Sequence, residues 1–315
     1  MLRALATRVA GLFVVLFIVS IMVFLLLYLA GGDIAHVLLG DGATAQQVQA
    51  LRESMGLDRP IVTRYGEWII GVLQGDLGDS LYRRAGVSEV IFQRLEPTVS
   101  IAVLAQIIAI IIAIPLGIAS ARRVNSPLDG AVTTYTMIGM ATPGFVFALL
   151  LAMLFALKLR ILPIAGYVPI SGGLGEWLHY ILLPSLSLGI IHSAFLTRMT
   201  RSSMLDVLSQ DFIRTALAKG ASMMRVVYGH ALKNAAIPII TVIGMGFAGL
   251  VTGALVTETI FNVPGLGKLM VESIDRRDIP VIQGVVLLVT ATFILINFLV
   301  DVLYMVIDPR VRQSA

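Results

Sequence analysis

The sequence predicts an all-α integral membrane protein with six transmembrane helices. Of its 315 residues, 57% are hydrophobic and 13% are charged, whereas a soluble domain usually has about 45–50% apolar and about 25% charged residues. Its mean hydropathy is +0.92. Six windows of at least 21 residues contain no Asp, Glu, Lys or Arg, and about 20 apolar helical residues are enough to cross a bilayer core of roughly 30 Å.

The six windows account for the predicted spans, and they lie at 9–32, 97–121, 130–157, 177–197, 234–257 and 279–300. A further uncharged stretch, 161–175, has only 15 residues and is rich in Pro and Gly. We therefore predict that it forms a loop, which can at most re-enter the membrane, and not a seventh span. The first window is about twice as long as the apolar region of a signal peptide and lacks a clear small-x-small cleavage site. It is therefore predicted to be a retained membrane anchor.

The distribution of Lys and Arg predicts the orientation of the spans. With the N-terminus inside, twelve Lys and Arg residues lie in the inner segments and five lie in the short outer segments. Six more lie in the segment 33–96, which is long enough to be translocated largely regardless of its charge. Both termini are therefore predicted to be cytoplasmic and the segment 33–96 to be external.

The external segment 33–96 is predicted to contain ordered helices. Residues 44–55 form a polar, helix-favouring stretch that ends at Gly56 and Pro60. A second stretch has an apolar face at helical spacing: Tyr65, Trp68, Ile69, Ile70 and Leu73. Two interpretations stay open for this segment, a cap packed on the outer ends of the spans and a docking surface for an external partner.

The predicted inner segment 198–233 contains a short amphipathic helix. Asp211 is predicted to cap it, Gly220 to stop it, and Ser222 to start the next helical stretch. Its apolar face consists of Phe212, Ile213, Ala216 and Leu217. Such a helix can lie on the membrane surface or fit into a groove on a cytoplasmic protein.

Several motifs fail as catalytic or binding sites. The chain has no Cys, and its four His residues lack the spacing of metal ligands. The glycines of 244–249 match G-x-G-x-x-G but lie inside an apolar span, so helix packing is the expected role. No nucleotide site is encoded, so any ATP must be hydrolysed by another chain. The net charge of +4 is too mild and scattered for nucleic-acid binding.

Four prolines lie within spans or at their ends: Pro115, Pro143, Pro184 and Pro238. Each removes a backbone hydrogen bond that lipid cannot replace, so the resulting kinks must face protein or a water-filled cavity. This favours a transport pathway. A self-sufficient secondary transporter would need ionisable residues in mid-membrane, and the spans have no Asp, Glu, Lys or Arg there. An intramembrane enzyme is disfavoured by the failed motif search.

The stretches Asp211–Gly220 and His230–Pro238 resemble the cytoplasmic loop signature of ABC importer permeases, and in particular that of the dipeptide/oligopeptide/nickel subfamily. When this chain is compared with the general loop signature of ABC importer permeases, Gly220 and Leu232 stand at matching positions. Other positions differ: Arg214-Thr215-Ala216 stands where the signature has Glu-Ala-Ala, His230 where it has Ile, and Lys233 where it has Pro. Further resemblance covers nearly the whole chain in order, at 55–60, 74–78, 162–167, 200–205, 264–267 and 308–310.

The resemblance implies a type I ABC importer permease fold. An N-terminal tail and first span (1–32) and an extracytoplasmic segment (33–96) would precede a permease core (97–307) with its coupling loop (198–233), and a cytoplasmic tail (308–315) would follow. The chain would be a multi-pass protein of the bacterial inner membrane. Its partners would be a second homologous permease, one or two ABC ATPase subunits and an extracytoplasmic substrate-binding protein.

The resemblance also implies roles for particular residues. The loop helix would fit a cleft on the ATPase, through Phe212, Arg214, Thr215, Ala216, Leu217, Lys219 and Gly220. ATP and Mg²⁺ would be bound by that subunit and no cofactor by this chain, which is not an enzyme itself. Three polar residues are assigned to the translocation path: His192, Glu258 and Asn297.

The acidic residues Glu258, Asp275 and Asp278 are predicted to lie on the outer side, near the route by which cargo enters. Solvation or pairing is the competing interpretation. The cargo itself stays open: relatives carry dipeptides, oligopeptides, glutathione-like compounds or chelated nickel, and the binding protein largely sets the choice.

Overall fold

A computed structural model of the chain describes residues 2–29, 39, 42–54, 56 and 58–307. The predicted tail 308–315, the end of the first window (30–32) and parts of the segment 33–96 lie outside these residues. Within them the chain is helical and contains no strand, only an isolated bridge between Asp79 and Gly86. The prediction of an all-α protein is therefore confirmed for the described part of the chain.

We number the α-helices in chain order. They are α1 (Leu2–Leu29), α2 (Ala45–Ser54), α3 (Ile61–Leu73), α4 (Val87–Arg122), α5 (Pro127–Ala141), α6 (Gly144–Leu151), α7 (Leu174–Leu208), α8 (Asp211–Ala218), α9 (Leu232–Ile260), α10 (Leu266–Asp275) and α11 (Ile279–Ile307). A π-helical stretch, Ala152–Lys158, continues α6, and another, Arg225–Ala231, leads into α9. The predicted loop at 161–175 contains a single 3₁₀ turn, Ile170–Gly172, before α7 begins.

Four helical segments are long and apolar enough to cross a membrane: Val87–Arg122, Leu174–Leu208, Arg225–Ile260 and Ile279–Val300. They contain the predicted windows 97–121, 177–197, 234–257 and 279–300. The window 130–157 is not one straight helix, because α5 and the helix that follows it are bent by 105°. In α1 the apolar stretch is shorter, Val9–Leu25.

Pro143 explains why the helix breaks between α5 and α6. Proline has no amide proton and disfavours helical geometry in the residue before it. Thr142 accordingly has an extended backbone (φ −84°, ψ 123°), and Pro143 itself precedes the first residue of α6. Pro115, Pro184 and Pro238, by contrast, lie inside continuous helices, of which Pro184 is buried against protein.

The chain divides into two compact units. One comprises Met1–Leu5, Arg94–Leu269 and Thr292–Ala315, and the other comprises Ala6–Gln93 and Met270–Ala291. In the first unit α7 packs against α5, α6 and α9. Small residues permit close helix contact there: a Cβ added at Gly117 would lie 2.6 Å from Thr200 Cβ, and one at Gly189 would lie 2.8 Å from the Ala105 carbonyl oxygen.

The glycines predicted to support helix packing do so unevenly. A Cβ at Gly246 would collide with the His192 ring, and one at Gly244 would collide with Val300. No described atom outside the helix backbone and the neighbouring residues lies within 4 Å of a Cβ at Gly249, and only the Leu188 side chain, at 3.6 Å, approaches one at Gly253. Among the glycines of 244–249, close packing is therefore made at Gly244 and Gly246 and not at Gly249.

The second unit contains most of the predicted external segment. Thr44 and Gln47 form a reciprocal capping box at the start of α2, which ends before Gly56 as predicted. On α3, Tyr65 packs edge-on against Phe24 of α1 at 5.4 Å, and its hydroxyl lies 2.7 Å from Ser20 Oγ. The aromatic side of α3 therefore lies along α1, whereas Ile70 and Leu73 are exposed.

Candidate functional site

The loop between α7 and α9 contains the helix α8 and ends it at a glycine, as predicted. Gly220 has φ +81°, a left-handed conformation that glycine adopts without a steric penalty. The amide of Ala221 donates to the Ala216 carbonyl at 3.1 Å, and that of Gly220 to the Leu217 carbonyl at 2.9 Å. These two bonds form a Schellman C-cap, which fixes where α8 stops. Ser222 then caps the next helical stretch by accepting the Arg225 amide at 3.4 Å.

The start of α8 differs from the prediction by one residue. Gln210 is the N-cap residue and makes no side-chain cap bond, and Asp211 is the first residue of the helix. The Asp211 carboxylate lies 3.7 Å from Arg214 Nη1, but both side chains are largely exposed. This ion pair therefore contributes little to the stability of the fold. The negative charge of Asp211 still interacts favourably with the helix dipole in the first turn.

The four apolar residues of α8 share one face of the helix but differ in burial, because Ala216 and Ile213 occupy its middle and Phe212 and Leu217 its two edges. Ile213 is 3% exposed, and Ala216 packs beside it against the protein's own core. Phe212 and Leu217 are 40% and 39% exposed. The surroundings of this exposed pair are hydrophilic, because Arg214, Thr215 and Lys219 are also exposed.

The buried side of α8 belongs to a core cluster that joins four other helical segments. With Ile213 it contains buried residues of α4, α7, the π-helical stretch and α9: Ala113, Ile118, Ala121, Leu196, Met204, Val207, Val226, Val227, Ala231, Ala235 and Ile239. Protein interiors are packed about as densely as organic crystals. The buried residues of α8 are therefore packed directly against residues of α4, α7 and α9.

A buried ion pair, which the sequence analysis missed, joins α5 to α7. Arg201 donates from Nε and Nη2 to the two carboxylate oxygens of Asp129 at 2.7 and 2.9 Å. The same carboxylate accepts from Ser120 Oγ at 2.5 Å and from the Asn125 amide at 3.0 Å. The Asp129 side chain is 7% exposed. One signal was available in the sequence: the two charges flank predicted spans, and both are predicted to lie on the inner side of the membrane.

Glu258 lies in a buried hydrogen-bonded cluster at the C-terminal end of α9. It is fully buried and accepts from Thr98 Oγ1 at 2.6 Å and from the amides of Gly267 and Lys268 at 2.7 and 3.1 Å. Its carboxylate thus caps the N-terminus of α10, where backbone amides lack helical partners. A Cβ at Gly265 would collide with this carboxylate, so glycine is needed at that position. Glu258 is thus held by hydrogen bonds from its own chain.

His192 lies in the wall of a cavity of about 440 Å³ between α7 and α9. The ring occupies the space left by the missing side chain of Gly246. Its Nε2 is buried and has no hydrogen-bond partner among the described residues. Ser187, Gly249 and Gly253 also line this cavity.

The remaining predicted residues lie elsewhere. Asn297 donates to the Phe293 carbonyl of its own helix at 2.9 Å. Asp278 is buried and accepts from Ser80 Oγ at 2.5 Å and from the Leu81 amide at 3.1 Å, whereas Asp275 is exposed. The structure thus brings the α8 residues together. It separates them from His192 by the second half of α7, roughly 24 Å of helix.

The described residues include no group of three His, Asp or Glu side chains that could hold a metal ion. The described residues instead form a short helix, α8, that has two exposed apolar side chains beside the residues by which it packs against the ends of long apolar helices.

Two family models match the chain. The one described as "Binding-protein-dependent transport system inner membrane component" matches residues 113–313. Its N-terminal companion, described as "Binding-prot-dependent transport system membrane comp, N-term", matches residues 1–102. Between them they cover nearly the whole chain.

Similar proteins agree with these matches. A probable peptide ABC transporter permease protein of Sinorhizobium fredii is 43% identical over 99% of this chain and 98% of its own length. A glutathione transport system permease protein of Salmonella choleraesuis is 43% identical over all of both chains. A chain of the MetNI methionine ABC transporter, in an inward-facing conformation, has the same fold over 70% of this chain and 96% of its own (TM-score 0.57, 16% identity). This chain therefore belongs to the family of inner-membrane components of binding-protein-dependent transport systems and has the fold of an ABC importer permease.

Proposed function

We propose that this protein is the permease subunit of an ATP-driven importer of di- or oligopeptides and forms half of its translocation pathway. The observation that supports this most directly is α8, with Phe212 and Leu217 exposed at the two edges of its apolar face and Ile213 buried in the cluster that joins α4, α7 and α9. A full-length relative named for peptide transport supports the cargo class.

The same proposal includes six spans in a bacterial inner membrane. Four are the long helical segments, the fifth is the bent α5–α6 pair and the sixth is α1. The excess of Lys and Arg in the inner segments supports cytoplasmic termini, a cytoplasmic loop 198–233 and an external segment 33–96.

In this proposal Phe212 and Leu217 enter a cleft of a separate ATPase subunit, which binds ATP and Mg²⁺. Arg214, Thr215 and Lys219 surround the apolar pair with polar contacts, and Gly220 lets the chain turn back after one short helix. Nucleotide-driven closure of the ATPase then displaces α8 and, through the core cluster, the ends of the spans. This chain itself carries out no catalysis.

We also propose a path between two permease subunits, fed by an external binding protein. Among the residues assigned to this path, His192 is supported by the cavity that it borders. Glu258 is enclosed by hydrogen bonds from its own chain, which supports a role in holding the α9–α10 turn. Asn297 has a partner in its own helix, so its assignment rests on position alone.

A glutathione-like cargo is the second candidate, because a relative of equal identity is named for glutathione transport. Glutathione is itself a small peptide-like compound, so both candidates need groups that recognise amides. No comparable observation supports chelated nickel as the cargo. A self-sufficient secondary transporter is disfavoured by the family to which the chain belongs.

The experiment places a charge at each of the two exposed apolar residues of α8. Phe212→Asp and Leu217→Asp should each release the ATPase from the complex in mild detergent or abolish peptide uptake, because a buried, unpaired charge at an interface costs about 2–5 kcal/mol. That cost corresponds to a loss of affinity of roughly thirtyfold or more. Ala216→Asp is a poorer test, since Ala216 packs against the protein's own core.

Val124→Asp is the matched control: Val124 is 48% exposed and lies in a different segment that is predicted to be cytoplasmic. It should retain the ATPase and uptake. Normal ATPase retention and normal uptake in well-expressed Phe212→Asp and Leu217→Asp variants would show that α8 does not couple the two subunits.

A further inference from the structure

The helix α3 is apolar along one side and charged on the other. Its apolar side contains residues that recur at spacings of three and four: Val62, Tyr65, Ile69 and Leu73. Glu67 lies on the opposite side and accepts from Arg59 Nη1 at 2.8 Å, and both of these side chains are more than half exposed. Amphipathic helices of this kind are typical of the surface of a membrane. The helix α3 is therefore a candidate for contact with lipid.

The middle of this apolar side packs against α1, whereas its two ends are exposed. The Tyr65 hydroxyl lies 2.7 Å from Ser20 Oγ of α1. Val62 and Leu73, at the two ends, are 77% and 81% exposed. The exposed apolar surface continues onto α1, because Leu73 and the exposed Phe17 border the same groove. A continuous apolar surface of this kind marks a contact with a protein or a membrane.

The groove lies between α1, α3 and α11, has a volume of about 440 Å³ and offers only apolar contacts. Its volume falls within the range of about 300–1,000 Å³ that small-molecule sites usually have. Its described lining contains no Asp, Glu, Lys or Arg, and its single hydroxyl, that of Ser20, already donates to the Phe17 carbonyl at 2.7 Å. The residues that line it belong to one compact unit of the chain. Most of them are large: Phe13, Leu16, Phe17, Leu73, Leu77 and Leu287 are examples.

The position of the groove along α11 places it at the depth of the hydrocarbon core. Ile279–Val300 of this helix is long and apolar enough to cross a membrane. The groove borders it from Gly284 to Ala291, which is roughly 7 to 18 Å from the start of that segment at 1.5 Å per residue. A hydrocarbon core is roughly 30 Å thick, so the groove lies mostly within the leaflet where α11 begins. Gln283 Nε2 donates to the Val23 carbonyl at 3.0 Å and holds α1 at the same level.

The large side chains that line the groove favour a flexible lipid chain over a helix of another subunit. Helices in membranes approach each other closely where their residues are small, as α7 does toward the Ala105 carbonyl at Gly189. The groove has a small residue at Gly284, but a Cβ added there would lie 2.8 Å from Val87 Cγ1, so α4 of this chain already uses that space. Hydrophobic contact is non-directional, and an acyl chain therefore needs neither hydrogen bonds nor a regular surface.

We propose that α3 is an interfacial helix of the outer leaflet and that the groove between α1, α3 and α11 binds a phospholipid acyl chain. This inference rests on the proposed function, since it takes α1 and α11 as spans and the segment 33–96 as external. Val62 and Leu73 enter the hydrocarbon, and the ion pair of Arg59 and Glu67 lies on the headgroup side. The helix α3 is thus the part of the external segment that attaches it to the membrane.

Single cysteines in the Cys-free chain test whether this side of α3 is in lipid. The complete transporter is labelled with an impermeant maleimide in cells whose outer membrane has been permeabilised, and labelling is quantified on this chain by mass spectrometry. Val62→Cys and Leu73→Cys should react at least about tenfold more slowly than Glu67→Cys, because a thiol in apolar surroundings forms little of the reactive thiolate. Glu67→Cys is the matched control, since it lies between the other two positions on the opposite side of the same helix. After denaturation in SDS all three should react alike.

Photo-crosslinking identifies what covers the groove. The purified complete transporter is reconstituted in vesicles of phosphatidylethanolamine and phosphatidylglycerol that include a phospholipid with a diazirine on one acyl chain. Lipid adducts should form at Leu16 and Leu73, in the groove lining. Ala291→Phe fills the groove from α11 and should lose these adducts, whereas the matched control Ala291→Ser should keep them. Adducts at Val14, which is exposed on α1 outside the groove lining, should form in every variant.

Three results would overturn the proposal. Equal labelling of Leu73→Cys and Glu67→Cys would place this side of α3 in water. Protection of Leu73→Cys without lipid adducts in the groove would show that a partner protein covers it. Adducts at Leu16 and Leu73 that persist in Ala291→Phe would show lipid contact without a chain bound in the groove. A different result, labelling of Glu67→Cys only after the inner membrane is disrupted, would overturn the orientation in the proposed function, while the adducts in purified transporter still report on the groove.

Discussion

At the scale of single residues, hydrogen bonding explains where this protein keeps its buried charges. Asp129 accepts from Arg201, Ser120 and the Asn125 amide, and Glu258 accepts from Thr98 and two amides of α10. A buried carboxylate is tolerated only when such donors replace its water. Each carboxylate therefore fixes the relative position of chain segments that are far apart in sequence.

The Asp129–Arg201 pair leads to a prediction about stability. Asp129→Leu and Arg201→Leu should each destabilise the complex strongly, because each leaves a mostly buried charge without its partner; breaking such a pair typically costs about 3–5 kcal/mol. The double variant should be less destabilised than the sum of the two single variants. The unfolding midpoints of the purified complexes in detergent, measured as a double-mutant cycle, provide the check.

Arg201→Lys serves as the conservative control for this cycle. Lysine keeps the charge but cannot make the two-pronged contact, so this variant should fall between wild type and Arg201→Leu. Strictly additive effects of the two leucine substitutions would show that the two side chains do not interact in the folded protein.

At the scale of elements, the stability of α8 depends on the cap at its C-terminal end. Its eight residues are too few to form a stable helix alone, so its stability comes from packing by Ile213 and from the C-cap at Gly220. The bend between α5 and α6 likewise comes from the local chemistry of Pro143. In both cases one residue with an unusual backbone requirement sets the boundary of a helix.

Gly220 therefore supports a prediction about coupling. Gly220→Ala should weaken uptake and lower the stability of the complex by about 1–2 kcal/mol, because a side chain at φ +81° is penalised by that amount. Gly220→Asn should do less harm, since Asn adopts this conformation more readily. No described atom lies within 4 Å of a Cβ added there, so the penalty comes from the backbone and not from a clash.

Uptake and the unfolding midpoint should be measured together for both variants of Gly220. Equal effects of Ala and Asn would contradict the backbone explanation and point to a contact of the glycine with the ATPase surface.

At the scale of the whole molecule, the family assignment and the charge distribution together determine the expected orientation. The two family models account for residues 1–102 and 113–313. The inner segments carry most of the Lys and Arg outside 33–96, which favours cytoplasmic placement of α8.

This orientation can be tested with single cysteines in the Cys-free chain. Leu217→Cys, on exposed α8, should stay unlabelled by an impermeant maleimide in intact cells whose outer membrane has been permeabilised. Ala50→Cys, on the exposed surface of α2, should be labelled. Disrupting the inner membrane should expose position 217 and serves as the control for reactivity. Labelling of position 217 but not of position 50 would reverse the topology.

The sequence by itself determined the features that depend on neighbouring residues. Hydropathy identified the apolar helices, and Gly56, Gly220 and Ser222 marked helix ends, because capping and backbone conformation act over a few residues. The loop signature at 211–220 identified the family. Each of these could be read without knowing where the rest of the chain lies.

The tertiary structure alone decided which side chains meet. Helical periodicity placed Phe212, Ile213, Ala216 and Leu217 on one apolar face, but only packing against α4, α7 and α9 divided them into a buried and an exposed pair. Arg201 lies 72 residues from Asp129 in the chain, and Thr98 lies 160 residues from Glu258. Burial and pairing depend on long-range contacts, which no local pattern specifies.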